Sequence, residues 1–193
     1  MSKLAPLPTT LGPHSLSPAI QTLARDFVQA HPRATPAAQA ELVVTLSRAS
    51  MREGGGPFGA AVFALDGALV SVGVNCVVPW KSYEFHAEVV ALALAKTVTE
   101  ALLLPSEWHL VSSSAPCCMC FGRLFWSGVR ALTVCARRED VESLTGFDEG
   151  PIPANWQQEL RDRGFVVYQD LARDDAREVL SDYRGPVYQR PSA

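Results

Sequence analysis

No stretch of this 193-residue sequence stays apolar for long enough to cross a bilayer, so no membrane partner is expected. No positively charged start leads into an apolar run, so no secretory leader is expected. There is no basic excess. The 17 Lys and Arg stand against 20 Asp and Glu, a formal net charge of −3. A chain that holds a phosphate backbone usually carries a basic stripe, so a nucleic-acid partner is not expected. A disulfide framework is missing as well. Of five cysteines, three crowd into four positions (Cys117, Cys118 and Cys120), while Cys76 and Cys135 lie alone in apolar runs. That spacing suits metal ligation plus two buried free thiols, and points to a reducing compartment, expected to be the cytoplasm. No internal repeat and no linker divides the chain.

What is present is a globular balance. The chain is 48% hydrophobic and 19% charged, enough for one core in one domain. Residues 1–17, rich in Pro, Ser and Thr, read as a flexible N-terminal arm, and 18–193 as a single domain. Ser17-Pro18 and Thr35-Pro36 open helices over 18–30 and 36–52, with Pro at the first helical position. Gly54-Gly55-Gly56-Pro57 is a turn. Strands 58–65 and 68–75 make a hairpin over Asp66-Gly67. A helix over 86–104 is apolar on more than one face and should be buried. Strands 108–114 and 129–136 flank a helix over 117–127, so the two should run parallel. A helix over 137–145, an acidic loop over 146–151, a helix over 154–163, a strand over 165–168 and a last helix over 172–184 complete the chain. The sum is an α/β fold, a three-layer α/β/α sandwich around a five-stranded mixed sheet.

The chemistry is concentrated in two short stretches. One is His86-Ala87-Glu88; about thirty residues later comes Pro116-Cys117-Cys118-Met119-Cys120. His86, Cys117 and Cys120 supply three zinc ligands and leave a fourth position for water, the pattern of a catalytic rather than a structural zinc. Both halves fall at helix starts, where the unpaired N–H groups favour the thiolate form of cysteine. Zinc would bring water close to ionisation at pH 7, and Glu88, two residues beyond the ligand, is placed to carry its proton. The arrangement coincides with the established signature of zinc-dependent nucleobase deaminases.

With Gly55-Gly56-Pro57-Phe58-Gly59-Ala60-Ala61-Val62, Asn75 and Gly146-Phe147-Asp148-Glu149-Gly150-Pro151 added, the chain resembles the cytidine-deaminase-like superfamily and, within it, the bacterial guanine deaminases. The resemblance spans about residues 54–165. It implies a homodimer with Zn2+ as cofactor. It implies hydrolysis of a small purine base, guanine, to xanthine and ammonia, with amino-triazines such as ammeline as further candidates. By the same resemblance Glu149 is a second catalytic carboxylate acting on the exocyclic amine, with Asp148 as the alternative. Asn75 hydrogen-bonds the purine, Phe58 borders the ring and Trp126 walls the pocket. Competing readings are a nucleoside, cytosine or tRNA-adenosine deaminase of the same superfamily, and a non-catalytic zinc scaffold. Two departures stand out. Ala115 replaces the Glu common before Pro-Cys, and Ser82-Tyr83-Glu84-Phe85 replaces the common Asp-Pro-Thr run, which puts Tyr83, Glu84 and Phe85 forward as entrance residues.

Overall fold

The structure, a computed structural model, describes residues 6–188. Residues 1–5 of the expected arm lie outside these. Of the rest, β1 (Thr10–Leu11) and β2 (His14–Ser15) pair in a small antiparallel hairpin, and Leu16 behind them is buried. The helices α1 (Pro18–Ala30) and α2 (Pro36–Arg52) begin where the sequence places them. The hydroxyls of Ser17 and Thr35 accept from the N–H groups of Ile20 and Ala38 and satisfy donors the first turn leaves free.

Next come β3 (Gly59–Phe63) and β4 (Leu69–Val74), joined over Asp66-Gly67. The segment after β4 holds a short helix, α3 (Val77–Trp80). Then follow α4 (Ala87–Lys96), β5 (His109–Ser114), α5 (Cys118–Ser127), β6 (Ala131–Ala136), α6 (Arg138–Thr145), α7 (Trp156–Arg161), β7 (Val166–Gln169) and α8 (Arg173–Asp182). The sheet runs β4-β3-β5-β6-β7. β3 is antiparallel to both neighbours, whereas β5, β6 and β7 are parallel, as the intervening helices require. One face packs on α1, α2 and α8 through Leu46, Phe63, Val111 and Leu180. The other packs on α4, α5 and α7 through Val62, Leu110, Leu124 and Leu160. This is the expected three-layer α/β fold.

One boundary differs substantially from expectation. The helix read over 86–104 stops at Lys96. Thr97 turns its hydroxyl back to the Leu94 carbonyl at 2.7 Å, and Lys96 Nζ reaches the Thr99 carbonyl at 2.9 Å. The β-branched run Thr97-Val98-Thr99 thus ends the helix by local side-chain bonding. The apolar residues beyond it, Leu102 and Leu103, are exposed instead of buried.

Within α6 sits a buried charge. Asp140, 2% exposed, accepts from the Arg137 N–H and from Arg173 at 2.8 and 2.9 Å, and pairs with Arg177, so α6 is clamped to α8. The Arg173 bonds come first among the causes that hold its carboxyl down at about 2. A depressed carboxylate stabilises the fold above its ordinary pKa and loses that contribution as pH falls through the depressed value. Asp140→Asn is therefore expected to cost about 2 kcal/mol at neutral pH in urea denaturation. The gap from the parent should close as pH falls from about 4 through 2; a gap independent of pH would show that the charge is not what α6 and α8 share.

Candidate active site

Because β3 runs against both neighbours, β4, β5 and β6 all point the same way, and their C-terminal ends meet along one edge of the sheet. Asn75 follows β4, Cys117 follows β5, and the acidic loop follows β6 by way of α6. Open α/β sheets bind ligands outside this edge. α4 lies close on β4 because Gly73 has no side chain. A Cβ there would come within 2.1 Å of the Ala87 carbonyl oxygen. That close approach sets the height of His86 and Glu88 at the helix start.

His86 and Cys117 are the N-cap residues of α4 and α5, in extended backbone, and neither spends its side chain on capping. His86 Nδ1 lies 3.4 Å from Cys117 Sγ and 3.7 Å from Cys120 Sγ. A tetrahedral zinc with ordinary Zn–N and Zn–S bonds needs these atoms about 3.5 Å apart, so the donor set fits the ion. Among the described residues this is the one group of three His, Cys, Asp or Glu side chains that could hold a metal. The Cys120 hydrogen bond, with help from His86, holds the Cys117 thiol down at about 4, a ready thiolate. The donor, Cys120, is pushed up by that same bond and by burial. Cys118, between them, turns aside; its N–H donates to the Glu149 carbonyl at 2.9 Å, and its sulfur lies against Gly150.

Two carboxyls face this cluster. Glu88, buried in the first turn of α4, is raised to about 7 by burial and then by the Cys117 charge. Glu149, also buried, is raised to about 9 by burial and then by Cys117 and Glu88. A dication between the sulfurs would pull in the opposite direction on both. A cavity of about 570 Å³ opens in front, lined by His86, Cys117, Asp148, Glu149, Lys81 and Tyr188 among others.

The other site residues read from sequence divide. Asp148 is on the cavity, where its carboxylate also accepts from the Gly150 N–H at 2.8 Å and shapes the loop. Asn75 is buried and does not line this cavity; it borders a neighbouring pocket with Ser50, Glu53 and Trp80. Its side-chain oxygen accepts from Gly56 and Val77, and its amide donates to the Tyr188 hydroxyl at 2.6 Å. Phe58 stands behind the site, edge-on to Phe147 at 5.4 Å, and is shared between the two cores. Trp126 does not line this cavity. It is 81% exposed and lines a separate groove with Leu92, Lys96, Leu102 and Arg123. It sits near the C-terminal end of α5, almost the whole helix away from the ligands at its start. Of the entrance candidates, Tyr83 lines the mouth, whereas Phe85 packs on Trp80 and His14. Ala115 is buried in the lower core, so a Glu at this position would need a partner of its own. Tyr188 and Lys81 were not singled out from sequence. Tyr188 reaches the cavity only through the tertiary path of the C-terminal segment. Lys81 is there because the turn after α3 holds it at φ 54.

Fold and site together define a zinc-dependent hydrolytic deaminase. Residues 36–136 match the cytidine and deoxycytidylate deaminase zinc-binding region, and the chain belongs to that family. Within it, the chain falls with the guanine deaminases. It is 35% identical over 127 residues to the guanine deaminase of Bacillus subtilis (strain 168), covering 65% of this chain and 80% of that one. The structure of the guanine deaminase from Nitrosomonas europaea is 41% identical, covers 86% of this chain and 92% of its own, and superposes with a TM-score of 0.75. The structure of NE0047 in complex with 2,6-diaminopurine is 44% identical, with 81% and 87% covered and a TM-score of 0.73.

Proposed function

We propose that the chain hydrolyses guanine to xanthine and ammonia, with Zn2+ held by His86, Cys117 and Cys120. The observation that carries this reading is the second buried carboxyl, Glu149, in the same cavity as the metal ligands. Bound there, zinc supplies a Lewis acid that makes water a nucleophile near neutral pH. Glu88, buried two residues after His86, takes a proton from that water and returns it to the ring nitrogen beside the attacked carbon. The water oxygen bonds to the carbon that carries the exocyclic amine. Glu88 then moves the remaining hydroxyl proton to the amine, the carbon–nitrogen bond breaks as the carbonyl forms, and the amine leaves as ammonia. Glu149, buried on the same cavity, hydrogen-bonds the exocyclic amine and eases its departure. The Asn75 amide, whose hydrogen now goes to Tyr188, is the donor we assign to a purine acceptor, and Asp148 borders the ring at the cavity mouth. The binding of 2,6-diaminopurine by NE0047 supports a purine in this position.

The same reading includes a homodimer, a reducing cytoplasmic setting and a place in purine catabolism. The exposed Trp126 and Leu102, on a groove beside the two helices that carry the ligands, support pairing of two copies. The buried free thiols Cys76 and Cys135 suit a reducing compartment. No helix among the described residues is long and apolar enough to cross a membrane.

Ammonia release from the zinc-loaded protein across guanine, guanosine, adenine, cytosine and ammeline tests the substrate. Guanine is expected to exceed adenine and cytosine in kcat/KM by about a hundredfold or more, because a site built to hydrogen-bond one edge rejects another strongly. A preference for adenine or cytosine would sink the assignment. Rates with ammeline and guanosine set its breadth. Sedimentation of the same sample should give twice the mass of the chain, and a single-chain mass would remove the pairing.

A further inference from the structure

The acidic loop is fastened at successive carbonyls on either side of the Glu149–Gly150 peptide. The Glu149 carbonyl accepts from the Cys118 N–H at 2.9 Å, which ties it to the start of α5, the helix that holds Cys120. The next carbonyl, that of Gly150, accepts from Arg138 Nη2 at 3.0 Å, which ties it to the first turn of α6. Arg138 Nε donates in turn to Glu142 Oε1 at 2.7 Å, one helical turn on. The guanidinium thus spans the base of the loop from helix start to Gly150, a fork geometry that only arginine supplies. At the other end, Gly146 closes α6 in the left-handed region at φ 78, which frees the chain to turn back toward Arg138.

We propose that Arg138 is a positioning residue for the deamination. It holds the Glu149 carboxyl at the amine-bearing end of the cavity, and it keeps the Glu142 carboxylate paired and turned away from it. Arg138 does not line the cavity, so it acts through Glu149 rather than on the substrate. Of the charged groups bearing on Glu149, Cys117, Glu88 and Glu142 are negative, and Arg138 is the cation that opposes them. Losing the guanidinium would both release the loop end and leave Glu142 as an unpaired like charge. The proposal rests on the role given to Glu149 above, and the test separates the two.

The test is a double-mutant cycle on the zinc-loaded enzyme with guanine, using Arg138→Met, Glu149→Gln and the combination. Arg138→Met keeps the apolar stem over α6. It is expected to lower kcat by about 10- to 100-fold with little change in KM, the scale of a misplaced catalytic group. In the Glu149→Gln background the same change should have little further effect, because the two act as a unit. Arg138→Lys, which keeps the cation but not the fork, should fall between parent and Met, and serves if the Met variant does not fold. An unchanged kcat on loss of the fork overturns the proposal. So does an equal fold-loss in both backgrounds. An unchanged rate in Glu149→Gln alone overturns the role of Glu149 itself, and the proposal with it.

Discussion

Glu88→Gln is expected to keep the fold and one zinc per chain while kcat with guanine falls by about 10²- to 10⁴-fold. Gln has the shape of Glu but no proton to exchange at neutral pH. Glu88 is the buried carboxyl nearest the ligand set in sequence, two residues after His86. A positioned carboxyl of this kind serves proton transfer in both directions. KM should move little, since the proton is carried in the transition state rather than in the bound substrate. Zinc content by metal analysis and kcat from ammonia release check the two halves together. A variant that holds zinc and keeps its rate would remove Glu88 from the mechanism.

The second large effect separates three neighbouring sulfurs. Cys117→Ala is expected to lose zinc and, with it, all measurable turnover. Cys118→Ala is expected to keep both. Cys117 Sγ is 3.4 Å from His86 Nδ1 and is the thiol held down at about 4, whereas Cys118 points to the acidic loop. Removing one of three protein ligands leaves two, too few for a tight site. The readout is zinc per chain after dialysis, with turnover on the same samples. Loss of metal in Cys118→Ala and retention in Cys117→Ala would reverse the ligand assignment. The parent should also release protons as it takes up zinc, because Cys120, driven up by its bond to Cys117, must ionise to bind.

The fold was legible where local physics is strong. Ser17-Pro18 and Thr35-Pro36 announce two helices because cap and fixed φ act within one turn. Asp66-Gly67 announces the hairpin by its turn chemistry, and the helix between β5 and β6 makes those strands parallel by connection alone. The end of α4 was not legible, because apolar Leu102 to Leu104 continue a pattern that Thr97 interrupts through its own hydroxyl. The metal triad was legible because chelate spacing is local: a helix start brings Cys117 and Cys120 together three residues apart.

Trp126 marks the limit of such reading. An aromatic six residues beyond Cys120 has the composition of a pocket wall, but its position along α5 carries it to the surface. By itself, the sequence determined the His86, Cys117 and Cys120 group, the acidic loop and the α/β/α layering, since chelate spacing, turn chemistry and hydrophobic period are each written in short stretches of chain. Tertiary structure alone decided three things. Glu149, and not the exposed Asp148, is buried beside the metal ligands; Tyr188 meets Asn75 across 113 positions; and Arg138 braces the loop it precedes. The reason is common to all three. Burial, charge and hydrogen bonding at the site depend on which strand ends converge, and strand order β4-β3-β5-β6-β7 is set by packing of distant segments, not by any local signal.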